Sequence, residues 1–145
     1  MKPLPHQYQV RLDGGTSGYA ALSAEGLPNL ASAPPPEFDG PGDAWSPEHL
    51  LLGAVATCFM FTLRAVAKAS GVDFISLDVT VEGVVDRHEH QLRFAEIVLR
   101  PRLQVPAATE RERAVRVLEK AGKACVVSAS LATPVRLEPE IAREP

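Results

Sequence analysis

The chain has 145 residues, of which 46% are apolar and 23% charged, and a formal net charge of -3. That length suits one domain able to bury a core without metal or disulfide staples. With no Lys/Arg-rich block, the charge balance argues against a nucleic-acid partner.

The N-terminal "MKPLPHQYQV" lacks the apolar core of a signal peptide. Residues 6–24 read as a β-hairpin, with Asp13-Gly14-Gly15 as the turn signal. In "LPNLASAPPPEFDGPGDAW" the prolines and glycines exclude a central strand, leaving room for a short edge strand from Leu30 to Ala33. Ser46-Pro47-Glu48 then predicts a helix start: a serine N-cap, a proline at the first helical position and an acid facing the dipole. The helix should run to about Ser70 and stop at Gly71. Its first half is apolar all round, the pattern of a helix enclosed by protein. One small sheet is too little cover for it, which predicts a partner subunit. The uncharged run Leu50 to Leu63 is short for a membrane span and is closed by Arg64 and Lys68. No membrane is expected, and the setting is a reducing cytoplasm.

Two alternating segments, "FISLDVTVEGVVD" and "QLRFAEIVLRPRLQV", predict long antiparallel strands joined at "RHEH". Thr109 and Glu112 form a capping-box pattern opening a helix that should end near Gly122. "CVVSASLA" fits one helical turn, and "PVRLEPEI" one last strand. The order predicts an α+β fold in a single domain, residues 1–145.

Only two cysteines occur, Cys58 and Cys125, too few for a secreted disulfide framework. Cys58 sits in "GAVATCFMFTL" and by itself reads more readily as core filler than as a reactive thiol. Cys125 lies where a new helical turn begins, so free backbone N–H groups and Lys123 are expected to lower its pKa. One thiolate oxidised by peroxide to a sulfenic acid and a second thiol condensing with it would make a working pair. Elsewhere, His88 and His90 share one side of a strand but lack a third ligand, so a polar hairpin turn is expected there and no metal. No phosphate loop or serine elbow is present, and no cofactor is expected.

"SPEHLLLGAVATCFMFTL" and "KACVVSASL" together resemble the two motifs of the osmotically inducible protein C and organic hydroperoxide resistance family (OsmC/Ohr). The order of elements extends the resemblance over nearly the whole chain. It implies an intertwined homodimer with two long helices back to back. The activity implied is a thiol-dependent peroxidase that reduces organic hydroperoxides and is recharged by a dithiol, including lipoyl-bearing proteins. Carried over by motif, Cys58 is the peroxidatic thiol, Cys125 the resolving thiol and Glu48 a polar organiser of the pocket. Glu48 and Cys58 are ten helical positions apart, about 15 Å, so one pocket using both needs Glu48 from the second subunit. Otherwise Glu48 simply complements its own helix dipole.

The chain departs from the family at the arginine that faces the peroxidatic sulfur. Its two usual places hold Thr16 in "GGTSG" and Glu37 in "EFDG". An acid there would raise the thiol pKa, and whether Arg11 substitutes is left open. This keeps a second reading in play: a divergent OsmC-like protein without peroxidase activity that binds a small apolar or thiol-reactive ligand. A third is an interaction protein with inert thiols. In the first reading Phe59, Met60 and Phe61 would offer apolar pocket walls.

Overall fold

Glycine and proline punctuate the first third of the chain, and its strands are correspondingly short. The computed structural model describes residues 1–145, which form two compact units, Met1–Leu51 and Leu52–Pro145. In the first, β1 (Arg11–Asp13), β2 (Ala20–Ser23) and β3 (Leu30–Ser32) make an antiparallel sheet in chain order. The expected hairpin is present with shorter strands, Leu12 facing Leu22 across it. A 3-10 turn, Pro36–Phe38, follows. Gly40 is obligatory beside it, because a Cβ there would fall 1.6 Å from the Pro34 carbonyl oxygen.

Helix α1 (Pro47–Ser70) has the expected limits. Ser46 Oγ accepts the His49 amide at 3.1 Å, the N-cap bond its sequence promised. At the other end Gly71 takes a left-handed φ of 62°. Val72 N–H then reaches Ala67 O at 2.9 Å and Gly71 N–H reaches Lys68 O at 3.3 Å, a Schellman closure. Arg113 Nη2 adds to this end, donating to Ser70 O at 2.8 Å and Gly71 O at 3.2 Å.

The second unit holds the main core. Val55, Phe59, Leu63 and Ala67 recur every fourth residue and form the buried stripe of α1. They pack with Leu99, Leu103 and Val105 of β5 (Gln91–Val105) and with Ala114, Val117, Leu118 and Ala121 of α2 (Arg111–Ala124). By length and composition alone α1 could cross a membrane, with a mean hydropathy of 1.9 over its most apolar window. The expectation drawn from Leu50 to Leu63 stopped at Arg64; the whole helix tolerates Arg64 and Lys68 because both are exposed. Only 28% of that window is buried within the chain.

Strand β4 (Ser76–His88) pairs antiparallel with β5 through a tight turn in which Glu89 and His90 both have positive φ. His88 and His90 thus belong to a polar hairpin end, as expected. A bulge between Val84 and Val85 shifts the register there. Gly83 lies beside it under the Phe94 ring, where a Cβ would approach Phe94 Cε1 to 2.6 Å.

Three expectations need correction. The Thr109–Glu112 capping box does not form: Glu110 is the N-cap, with no side-chain cap bond, and the Thr109 amide is taken by a turn to Pro106 O at 3.0 Å. Helix α2 passes through Gly122 to Ala124, since an isolated helical glycine costs only about 1 kcal/mol. The last strand is two, β6 (Val135–Leu137) and β7 (Glu140–Arg143), both parallel to β5. Pro139 lies between them. Pro101 of β5 falls in the same gap, after the β6 register ends at Leu99 and before the β7 register begins at Arg102. On that side of β5 a buried mid-strand proline is accommodated because neither β6 nor β7 is in register with it, while on the other side β4 sets Val79 opposite it.

Candidate active site

The core stripe of α1 fixes where Cys58 can point. With Val55 and Phe59 turned into the core, Cys58 is half-buried at the stripe's edge, and Thr62 stands one turn further on the same side. Cys125 is 1% exposed. It is the extended residue (φ -69°, ψ 115°) between α2 and α3 (Val126–Ala129). The first intrahelical bond of α3 runs from Ala129 N–H to Cys125 O at 3.0 Å. The amides before it have no partner within the helix.

Those amides meet the other cysteine. Burial is the largest single influence on Cys58 and pushes its thiol up. Hydrogen bonds from the Cys125 thiol, the Val127 amide, the Thr62 hydroxyl and the Val126 amide together outweigh it, holding Cys58 below the ordinary thiol range. Cys125 moves the opposite way. Burial and its bond to Cys58 raise its pKa, while the Ser128 hydroxyl and amide pull back part of the rise. Both thiols are free. Cys58 is thus the stronger acid of the two.

This reverses one expectation. The α3 amides and Lys123 were to activate Cys125, but the amides of Val126 and Val127 serve Cys58, and Lys123 is exposed and acts on neither sulfur. A thiol at a helix start can be a donor to a second thiol instead of the group the start stabilises. Linear sequence hides this because 67 positions separate the pair. Sequence reasoning also missed Thr62, whose Oγ1 is 3.9 Å from Cys58 Sγ. The Cys-x-x-x-Thr spacing within a helix was the available signal.

The remaining candidates lie as follows. Glu48 occupies the first turn of α1; its Oε2 is buried and has no hydrogen-bond partner in the chain. The N-cap is served by His49 instead, whose Nδ1 is 2.6 Å from Ser46 Oγ. Thr16 lines a cavity of about 580 Å³ in the first unit, with Tyr19, Ala33 and Asp39. Glu37 is exposed on the 3-10 turn, and Arg11 is exposed on β1. All the influences on Cys58 arise within Leu52–Pro145. The three candidate wall residues separate: Phe59 is core and cannot line a pocket, Met60 is half-buried, and Phe61 is 60% exposed and carries Arg64 over its ring at 5.3 Å.

An α+β fold in which two free cysteines shift each other's ionisation in opposite directions defines a paired-thiol protein. The family model described as "OsmC-like protein" matches residues 40–140, so the chain belongs to the OsmC/Ohr family. Among curated proteins it is 31% identical to the uncharacterized protein YmaD of Bacillus subtilis over 109 residues, 73% of each chain. An OsmC-like protein of unknown function from Vibrio cholerae shares its fold at a TM-score of 0.86 and 14% identity, covering 93% of this chain and 99% of that one. An organic hydroperoxide resistance protein from Elizabethkingia anophelis aligns at a TM-score of 0.77 and 20% identity, covering 99% and 100%.

Proposed function

We propose that the protein is a homodimeric thiol peroxidase that reduces organic hydroperoxides, each copy a single OsmC-like domain. The observation that carries this reading is the opposed coupling of the two thiols, which holds Cys58 below and Cys125 above the ordinary thiol range. In the proposed cycle the Cys58 thiolate attacks the terminal peroxide oxygen and the O–O bond breaks. The alkoxide leaves as an alcohol on taking a proton, and sulfur is oxidised to a sulfenic acid. Cys125 then attacks Cys58 Sγ. Its proton and the departing hydroxide form water, and a Cys58–Cys125 disulfide results. An external dithiol, for which a lipoyl-bearing protein is one source, reduces that bond and restores both thiols.

Two observations support the homodimer. The first unit carries Tyr8 at 89%, Val10 at 67% and Leu12 at 66% exposure, and most of the apolar window of α1 is uncovered. Apolar surface on that scale marks an association face. Glu48 fits the same arrangement. A buried carboxylate oxygen without a donor costs about 1–3 kcal/mol or more, and antiparallel packing of two α1 helices would bring Glu48 to the second copy's Cys58.

The second reading, a ligand-binding relative without turnover, is favoured by Thr16 and Glu37 at the family's arginine places. One experiment decides. The protein is mixed with cumene hydroperoxide and dihydrolipoamide, and peroxide loss is followed alongside the Cys58–Cys125 bond by mass spectrometry. Turnover that vanishes in Cys58→Ser supports the peroxidase. Retention of hydroperoxide or its alcohol without turnover supports the binder.

A further inference from the structure

Helical threonines usually spend their hydroxyl on the preceding turn. Thr57 does so in α1, donating to Gly53 O at 2.9 Å and Ala54 O at 3.3 Å. Thr62, five residues later on the same helix, does not. Its one hydrogen-bond partner is Cys58 Sγ at 3.9 Å. Side chains on a helix lean toward its N-terminus, so a hydroxyl four residues after a cysteine is aimed at that sulfur by the helix itself. A thiolate has no proton to give, so in the reactive form the hydroxyl must donate.

From this geometry we propose that Thr62 is a positioning residue for Cys58: its hydroxyl donates to the thiolate and holds the sulfur on the α3 side of α1. Within one chain Cys125 is the one other titratable group acting on Cys58, from the α2–α3 junction; α3 contributes only the Val126 and Val127 amides, and no lysine, arginine or carboxylate of that chain acts on the sulfur. The proposed dimer would add the second copy's Glu48, which as a carboxylate offers the thiolate no donor. With neutral donors alone around the charge, each one counts. Thr62 differs from the others in being a side chain that can be exchanged without disturbing α3. Once Cys58 Sγ joins a disulfide it loses its charge, and the hydroxyl is then free to bond the preceding turn as Thr57 does.

The inference rests on Cys58 as the reactive thiol of the reading above, but not on peroxide as its oxidant. Its test therefore uses alkylation. The rate at which iodoacetamide labels Cys58 is followed by peptide mass spectrometry from pH 5 to 10 in the wild type, Thr62→Val, Thr62→Ala and Thr62→Ser. Thermal melts confirm that each variant is folded. Loss of one hydrogen bond to a charged acceptor predicts about a tenfold slower reaction at neutral pH. The midpoint should move to higher pH in Thr62→Val and Thr62→Ala. Thr62→Ser keeps the hydroxyl and should follow the wild type. Thr62→Ala retains helix propensity and supplies the answer if the valine variant does not fold. Coincident profiles for wild type, valine and alanine would overturn the proposal, as would a serine variant slowed as much as alanine. A shifted profile in a protein that turns over no hydroperoxide would keep Thr62's role and reject the peroxidase.

Discussion

Phe59 and Phe61 stand two positions apart, flanking Met60, and the structure predicts opposite consequences for truncating them. Phe59 is fully buried, one turn after Val55 and one before Leu63, in the core shared with β5 and α2. Phe59→Ala removes most of a buried aromatic ring and leaves a cavity that a packed helix cannot close. Such truncations cost about 3–5 kcal/mol, a large part of a total stability of roughly 5–15 kcal/mol. For a chain of this size the melting temperature should fall by about 10–20 °C. Phe61 is 60% exposed and carries the Arg64 guanidinium over its ring. Within one chain Phe61→Ala forfeits about 0.5–1 kcal/mol. Melts followed by circular dichroism, run with sedimentation over a hundredfold range of protein concentration, separate the two effects. Phe61→Ala should weaken self-association while leaving the dilute chain nearly as stable as the wild type. A Phe59→Ala protein melting within about 2 °C of the wild type would refute the core assignment.

Because folding lowers the Cys58 pKa and raises that of Cys125, alkylation of Cys58 should reach its midpoint at lower pH in the folded protein than in the unfolded chain, and that of Cys125 at higher pH. The sign also fixes stability. The Cys58 contribution is present above the ordinary thiol pKa and fades as pH falls through the folded value, whereas that of Cys125 is present at lower pH and fades as pH rises through its own. Single-site labelling at pH 7 should find Cys58 first; equal labelling would contradict the assignment. Gly83→Val places branched carbons where a bare Cβ already meets the Phe94 ring at 2.6 Å, so a loss of about 1–3 kcal/mol is expected in urea unfolding. In Glu48→Gln the fold should persist while hydroperoxide turnover falls about tenfold, the effect of one hydrogen bond to a charged group. Unchanged turnover would return Glu48 to a helix-dipole role.

The long elements were legible because each carried redundant signals. Ser46, Pro47 and Gly71 bracket α1 to the residue, and clean alternation through Ile75 to Val81 gave β4. Failures fell where one local signal competed with a neighbour. Thr109 has the right side chain for a cap, but its amide is engaged by the Pro106 turn, and Pro139 splits a segment whose alternation suggests continuity. At the site, motif spacing found both cysteines but not their division of labour. Which thiol an amide faces depends on how α3 lies against α1, and no local pattern encodes that. Thr62 was overlooked for a related reason: a threonine in an apolar helix ordinarily satisfies itself.

The separation of Cys58 and Cys125 along the chain has a thermodynamic consequence. A covalent bond between them would close a ring of nearly half the polypeptide, and restricting the unfolded chain by such a ring is worth about 4 kcal/mol in the chain-entropy treatment. The oxidised protein should therefore resist heat and protease better than the reduced one. Tolerance to digestion would then report how much of the protein awaits its reductant.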